Sequence, residues 1–529
     1  MRIRKLLRVR FVVYSFTEQE KIMAELTPMM QKYMETKEQY KDCILFYRLG
    51  DFYEMFFDDA IVASKELEIA LTGKSCGLEE RAPMCGIPYH AVETYLARLV
   101  SRGYKVAICE QVEDPKLAKG LVKREVIRVV TPGTNLDVQS LEASKNNYLM
   151  CIAYTSDGIG ISAADVTTGD YYVTEVEDLR KLKDELMKYE PSEIICNEAF
   201  LVSGYDVEDL KSRLHMSVSS LESHMFDDDG CRRILMRHFK VNTLIGLGVE
   251  EFPTGILAAG ALLQYLYDTQ KTDLEHFTHI SPYLTSKYML LDSSTRRNLE
   301  LTETLREKQK RGSLLWVLDK TKTAMGGRLL RNYIEQPLID KEEMEKRLDA
   351  IQELNQDSIS RDEIREYLNP VYDLERLLSK VTYKTAKPRD LIAFRNSLQM
   401  LPPIKTVLAG FQKEELAAIR EEIDGLEDIY QLIDEAIVEE PPISIREGGM
   451  IKDQFDETID HLRAAKHDGK QWLVQLEEED RERTGIKNLK IKKNNVFGYF
   501  FEVTNSYKDL VPEDYIRKQT LANAERYTT

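Results

Sequence analysis

The residues with the most suggestive chemistry are an aromatic ring and a carboxylate two positions apart, in the run Gly50-Asp51-Phe52-Tyr53-Glu54. The residues before Gly50 are apolar and favour a strand, which Gly50-Asp51 then interrupts. Because side chains two apart in an extended segment point the same way, Phe52 and Glu54 would present one flat ring and one hydrogen-bonding acid to a single target. An apolar wedge beside a polar group can test whether a DNA base step is weakly stacked. A core residue next to a surface residue would give the same short pattern.

A second group of candidate residues lies near the end of the chain, where two strand-like segments, 486–491 and 496–503, flank a polar turn. The candidate phosphate contacts are Lys487, Lys490, Lys492, Lys493, Asn494 and Asn495. The whole chain carries a net charge of -17, so this local excess of cations stands out against an acidic background. Such a turn suits phosphate contacts, which position a protein on a duplex without reading its sequence. A merely solvated turn is the alternative.

Other kinds of chemistry find little support. Thr72-Gly73-Lys74-Ser75 resembles the end of a phosphate-binding loop, but that pattern needs glycine at position 68, which is Glu68. None of the 7 cysteines forms a C-x-x-C pair and the 8 histidines show no metal-ligand spacing, so we expect a reducing compartment and no metal site. A metal-dependent nuclease would need several converging carboxylates, and Asp165 has no evident partners.

Composition sets the frame for these residues. A chain of 529 residues with 43% apolar and 31% charged side chains is long enough for roughly three to four folded domains. No run of about 18 apolar residues occurs, so no transmembrane helix is expected. The net negative charge argues against a surface coated in cations, but it is compatible with positive charge confined to one DNA-binding channel.

Hydrophobic periodicity then predicts the elements that would hold the candidate residues. Residues 23–130 mix strands and helices, and residues 147–177 alternate as a three-stranded meander. Residues 255–445 are almost wholly helical, and a long, charged helix follows over 450–483. The finer predictions are strands at 43–49, 104–110 and 193–196, helices at 58–71, 90–101, 178–189, 206–214 and 517–527, and a loop at 83–88.

Several sequence blocks then occur in one order, among them Pro83-Met84-Cys85-Gly86-Ile87-Pro88-Tyr89-His90, Met325-Gly326-Gly327-Arg328-Leu329-Leu330 and Thr520-Leu521-Ala522-Asn523-Ala524-Glu525-Arg526-Tyr527. With these blocks and Gly50-Asp51-Phe52-Tyr53-Glu54, the chain from Met23 to Thr529 closely resembles the bacterial MutS family of DNA mismatch-repair proteins. The resemblance implies a multidomain fold: a small mixed α/β mismatch-binding domain, a ribonuclease-H-like connector, and a long helical lever with an inserted helical and β-hairpin clamp.

The domain boundaries follow from this resemblance. We expect a mismatch-binding domain at 23–131, a connector at 132–282, the first part of the lever at 283–445, the clamp at 446–508 and the second part of the lever at 509–529. Residues 1–22 are interpreted as a spurious N-terminal extension, with Met23 as the working start. The resemblance also implies a C-terminal ATPase domain, which binds ATP and Mg²⁺ and would lie outside this chain.

The function implied by the resemblance is recognition of mispaired or looped duplex DNA, with Phe52 stacking on a base from the minor groove and Glu54 hydrogen-bonding that base. The hairpin cations would hold the DNA backbone. The family further implies a homodimer, MutL as partner, a cytoplasmic, nucleoid-associated location, and no cofactor or catalysis in this part of the protein. The main alternative is a superfamily relative that binds DNA junctions or recombination intermediates, although such relatives usually lack the Phe-x-Glu pair.

Overall fold

The computed structural model describes residues 26–113, 120–137, 141–212, 214, 216–443, 445–494 and 498–528. These residues form two compact units, one up to Tyr430 and one from Gln431 onward. None of the described helices has the length and apolar character that a membrane crossing requires. The prediction for residues 1–22 lies outside the described residues, as does Asn495 of the predicted hairpin.

The first part of the larger unit is a six-stranded mixed sheet with helices on both faces. Its strands are β1 Cys43–Leu49, β2 Phe52–Phe56, β3 Thr72–Lys74, β4 Ala82–Pro88, β5 Lys105–Gln111 and β6 Arg124–Val130, in the order β3-β4-β2-β1-β5-β6. Its helices are α1 Pro28–Gln39, α2 Phe57–Leu67 and α3 Val92–Val100. Only the β1–β5 pair is parallel. Both faces of β1 are buried, which explains why its sequence is a continuous apolar run.

The strand at 83–88 corrects the sequence analysis, which predicted a loop there because of its two prolines. Residues 82–88 are β4, which pairs with β2 on one side and with β3 on the other. Pro83 and Pro88 lie near the two ends of the strand, and the buried Cys85 and Ile87 anchor the residues between them. The helix predicted over 58–71 ends at Leu67, because Glu68 takes a left-handed conformation with φ 58°.

The next domain holds the second six-stranded sheet. Its strands are β7 Leu149–Tyr154, β8 Ile159–Asp165, β9 Asp170–Val176, β10 Glu193–Cys196, β11 Ser217–Ser220 and β12 Ser281–Pro282, in the order β11-β10-β7-β8-β9-β12. Its helices are α4 Leu179–Tyr189, α5 Glu198–Leu201, α6 Val207–Ser212, α7 Asp228–His238 and α8 Pro253–Gln270. The predicted meander is confirmed as β7, β8 and β9, which pair antiparallel.

Helices then dominate up to the end of the larger unit, as the periodicity predicted. They are α9 Ser293–Asn298, α10 Leu314–Leu318, α11 Ala324–Glu335, α12 Lys341–Gln356, α13 Ser358–Leu368, α14 Leu374–Thr382, α15 Pro388–Leu398, α16 Leu401–Leu408, α17 Glu414–Glu422 and α18 Glu427–Ala436. Many of them begin after a side chain that accepts a hydrogen bond from the first turn, for example Thr323 before α11 and Asp340 before α12. These caps satisfy backbone N–H groups that a helix start leaves open.

The smaller unit consists of one long helix and an antiparallel sheet. Helix α19 Glu457–Thr484 is 28 residues long and ends at Gly485, which has φ 71°. The strands are β13 Lys490–Asn494, β14 Gly498–Thr504, β15 Ile516–Thr520 and β16 Ala524–Thr528, in the order β13-β14-β16-β15. Their core contains Ile486, Leu489, Phe501, Val503, Tyr515 and Tyr527.

The helix predicted at 517–527 is wrong, because these residues form the hairpin of β15 and β16. Strand β16 pairs with β14 from Phe501↔Tyr527 to Thr504↔Ala524, and this pairing outweighs the local helical periodicity. The sheet therefore crosses the predicted boundary at 508, and residues 516–528 extend the predicted clamp sheet instead of returning to a helix.

Candidate nucleic-acid interface

A tight turn between β1 and β2 sets the position of Phe52. Gly50 has φ +59°, a conformation that glycine adopts without strain, and Leu49 pairs directly with Phe52 across the turn. The side chain of Phe52 is 47% exposed, whereas the neighbouring Tyr53 is 5% exposed. Phe52, the first residue of β2, thus presents a large apolar ring at the surface. The other aromatic residues of that strand, Tyr53 and Phe56, are buried.

On the opposite face of the sheet, Arg48 of β1 holds this turn in place. Its Nε donates to the backbone oxygen of Gly50 at 2.5 Å, and its Nη1 lies 3.1 Å from Glu110 Oε1. The guanidinium also lies 3.8 Å from the centre of the Tyr89 ring. Tyr53 donates its hydroxyl to the same Glu110, and burial raises the pKa of Tyr53, so that this hydroxyl stays protonated. The turn that carries Phe52 is therefore held by a cluster of Arg48, Glu110, Tyr53 and Tyr89.

Glu54 lies on the same face of β2 as Phe52, as the spacing predicted, and it makes an ion pair with Lys74. Lys74 Nζ lies 2.6 Å from Glu54 Oε2, where the side chains are 34% and 16% exposed respectively. The ammonium group also lies 5.6 Å from the centre of the Phe56 ring. In the sequence, Lys74 stands out only as part of a phosphate-binding pattern, and no local signal predicts this contact.

Gly86 of β4 forms the surface between the two candidate side chains. It pairs with Glu54, while Pro88 pairs with Phe52. A Cβ atom placed on Gly86 would lie 3.5 Å from Glu54 Cγ and 3.9 Å from Phe52 Cδ1. We call Phe52, Glu54, Lys74 and Gly86 the recognition face. Gly86 was also missed, because a predicted loop at 83–88 gave no reason to place it beside β2.

The hairpin of β13 and β14, with the turn residue Lys487 before it, carries the other candidate contacts and is called the basic hairpin. Lys487, Lys490, Lys492 and Lys493 are all exposed, and Asn494 is partly exposed. Lys487 and Lys490 make no ion pair with any described residue. The Nζ of Lys493 lies 5.1 Å from the centre of the exposed Tyr499 ring, which places an aromatic face among the cations.

Glu502 reduces the positive charge of this hairpin more than the sequence suggested. Its carboxylate lies 2.6 Å from Lys492 Nζ and 3.3 Å from Arg526 Nε. The hydrogen bond from Lys492 lowers the pKa of Glu502, which therefore stays ionised and holds that lysine. Lys487, Lys490 and Lys493 are left as the cations best able to meet phosphate.

The phosphate-binding loop and the nuclease site considered from the sequence gain no support within the described residues. Thr72–Lys74 is an edge strand, not the loop before a helix that phosphate binding requires. Asp165 accepts hydrogen bonds from Asn146, from the backbone N–H of Asn147 and from Thr167, so its oxygens serve the connector fold. Across the part of the chain that the structure describes, no group of three or more histidine, cysteine or acidic side chains could hold a metal ion.

Three family models match the chain in sequence order. They are MutS domain I over residues 27–139, MutS domain II over 147–280 and MutS domain III over 294–521.

Curated relatives agree with these matches. A DNA mismatch repair protein MutS from Lachnoclostridium phytofermentans is 66% identical over 507 residues, which cover 96% of this chain and 54% of that relative. The MutS proteins of Ruminiclostridium cellulolyticum and Acetivibrio thermocellus are 54% and 53% identical over 510 and 512 residues, each covering 96% of this chain and 58% of the relative. The chain thus spans little more than half the length of these relatives.

Proposed function

The chain belongs to the MutS family of DNA mismatch repair proteins, and from this premise we propose that it recognises mispaired or looped duplex DNA. The observation that carries the proposal is the exposed ring of Phe52 beside Glu54, at the start of β2, next to a turn that Arg48 holds in place. A single exposed ring is ordinary on a protein surface, but a ring held in a fixed position beside a carboxylate has the preorganisation that a binding site requires.

In the proposed mechanism, Phe52 enters the minor groove and stacks on a base. Inserting an apolar wedge unstacks a base step at a cost of a few kcal/mol and kinks the duplex. A mispaired or unpaired base is already poorly stacked, so the same deformation is cheaper there. Mismatches are therefore selected by how easily the duplex deforms, which needs no donor and acceptor code for each base pair.

Glu54 supplies the polar half of the proposed recognition. A carboxylate close to phosphates repels an intact duplex, whose base edges are already paired. A displaced base can instead donate a hydrogen bond to the carboxylate. This hydrogen bond offsets the repulsion only at the lesion. Phe52 and Glu54 are close enough to act on one base because Gly86 puts no side chain between them.

The basic hairpin is proposed to bind phosphates. Its lysines are exposed, and such flexible cations suit phosphate contacts, which do not depend on the DNA sequence. Such contacts release counterions and make affinity depend steeply on salt.

Partners and location are proposed from the family alone. We propose that the chain acts with a second copy of itself and with MutL, at DNA in the cytoplasm, and that the residues described bind DNA without a cofactor or a bond-breaking step. We propose that ATP and Mg²⁺ act only in the full-length proteins of the family. This chain spans little more than half the length of such a relative.

The direct test is equilibrium binding of the purified chain to three DNA probes of equal length: a duplex with one G·T pair, its fully matched counterpart and a four-way junction. Tighter binding to the G·T duplex than to either of the others supports the proposal. Equal binding to both duplexes would overturn it, and preference for the junction would favour the superfamily alternative.

A further inference from the structure

The ion pair between Glu54 and Lys74 has a consequence for how strictly the recognition face selects its target. Lys74 ends the edge strand β3, two strands away from β2, and reaches over the Phe56 ring to meet Glu54 at 2.6 Å. Among the described residues, each of the two side chains has the other as its one ionic partner. A lysine that reaches this far loses side-chain entropy, so the contact must be favourable enough to hold it.

We propose that Lys74 is a specificity-determining residue that occupies Glu54 in the absence of DNA and competes with the base for it. This inference rests on the proposed function of Phe52 and Glu54. With Lys74 in place, the pair carries no net charge, so phosphates of an intact duplex meet little repulsion from Glu54. A displaced base must take over the hydrogen bond of Lys74, and it can do so with donors of its pairing edge, which an intact base pair keeps engaged.

The sign of the effect follows from this competition. Removing the ammonium leaves Glu54 as a bare carboxylate, which weakens binding to a matched duplex by repulsion. At a mismatch the base donor no longer competes with Lys74, so binding there is kept or improved. Lys74→Met should therefore raise the ratio of mismatched to matched affinity, by about three- to tenfold if the pair has the strength of a partly screened ion pair. This is opposite to the effect expected when Glu54 itself is neutralised.

The test measures that affinity ratio, with a G·T duplex and its matched counterpart, for the full chain and four variants: Lys74→Met, Lys74→Arg, Glu54→Gln, and Glu54→Gln combined with Lys74→Met. The arginine variant keeps the ion pair and should keep the original ratio. In the Glu54→Gln background, Lys74→Met should leave the ratio unchanged, because Lys74 acts through Glu54. Lys41→Met is the matched control, since Lys41 loses the same charge from an exposed pair with Glu38 in the same domain.

The outcomes separate this inference from the proposed function. If the unmodified chain shows no mismatch preference, both are overturned. If the preference exists and Lys74→Met leaves it unchanged, the inference alone is overturned. Lys74→Met could instead weaken binding to both duplexes equally and make the salt dependence shallower. If this persists in the Glu54→Gln background, the inference is overturned and Lys74 is a direct phosphate contact.

Discussion

The recognition face and the basic hairpin both present residues that we propose to bind DNA, but they are built in different ways. At the recognition face, each functional group has a defined neighbour: Phe52 follows a turn held by Arg48, and Glu54 is held by Lys74. At the basic hairpin, Lys487 and Lys490 extend from the surface without an ionic partner among the described residues. One surface is preorganised and the other is a loose array of charge.

This difference reflects the two tasks that we propose. A ring that measures how easily DNA deforms must not move itself, because otherwise the protein would absorb the strain that should kink the duplex. A cation that binds phosphate gains most of its energy from counterion release and tolerates many geometries. Variants at the two surfaces should therefore change different measurements, the affinity ratio at the first and the salt slope at the second.

The largest expected effect is that of Phe52→Ala, which should abolish the mismatch preference. Stacking of a base on an aromatic side chain contributes about 1–3 kcal/mol, so affinity for a G·T duplex should fall roughly 5- to 150-fold. Weak, salt-sensitive binding to matched duplex should persist. Leu71→Ala, which removes another exposed apolar side chain in the same domain, is the control. Equal losses on both duplexes would contradict the wedge role.

A smaller change is expected for Glu54→Gln or Glu54→Ala, which should narrow discrimination mainly by strengthening matched binding. The reason is that these variants leave Lys74 without its carboxylate partner, so its ammonium group attracts the phosphates of any duplex, while a displaced base loses its acceptor. The change should be about three- to tenfold in the ratio, measured by titration at fixed salt. Glu38→Gln makes the same charge change at an exposed site of the same domain. Unchanged discrimination would remove Glu54 from the mechanism.

At the basic hairpin, replacing Lys490 and Lys493 together with glutamine should weaken binding to every duplex and leave the affinity ratio intact. Each lost phosphate contact should lower the steepness of log K against log salt by about 0.9. Lys492→Gln is the matched comparison within the hairpin, and its effect should be smaller because Glu502 already engages Lys492. If Lys492→Gln changed the salt slope most, the charge distribution described for the hairpin would be wrong.

Glu335→Gln, at the end of α11, is expected to have no effect on DNA binding and to change only the stability of the fold. Burial raises the pKa of Glu335 to about 7, even though Arg331 lies 3.4 Å away. A carboxyl whose pKa is higher in the folded than in the unfolded state loses stabilisation as pH rises from about 4 through 7. The glutamine variant should match the parent near pH 4 and be more stable by about 1–3 kcal/mol at pH 8.

Denaturant titrations at several pH values would measure this difference, with the exposed Glu345→Gln as control. A stability difference that does not depend on pH would contradict the assigned burial. A change in either the affinity ratio or the salt slope would show that the recognition face or the basic hairpin depends on Glu335.

The sequence predicted β1 from its continuous apolar run, the meander and α19 from their periods, and the shared face of Phe52 and Glu54 from their spacing. It failed where pairing partners distant in sequence decide the structure. Residues 83–88 look like a loop because of their prolines, yet they form β4 between β2 and β3. Residues 517–527 have a helical period, yet β14 draws them into a sheet.

The partner of Glu54 escaped prediction for the same reason. Lys74 is 20 residues away along the chain, and only the order β3-β4-β2 brings it to the recognition face. No local pattern signals such a contact. An isolated acid on a predicted DNA-binding strand does, however, give a reason to look for a nearby cation, because an unpaired carboxylate close to phosphate is unfavourable.

The bare backbone at Gly86 makes that position an adjustable spacer. A methyl group there would touch both Glu54 and the Phe52 ring at ordinary packing distances, so an alanine could be accommodated without rebuilding the sheet. It would nevertheless fill the gap between the ring and the acid, into which we propose that displaced bases of different shape fit. The breadth of damage that one binding site tolerates would then depend on a residue that offers the DNA no side chain at all.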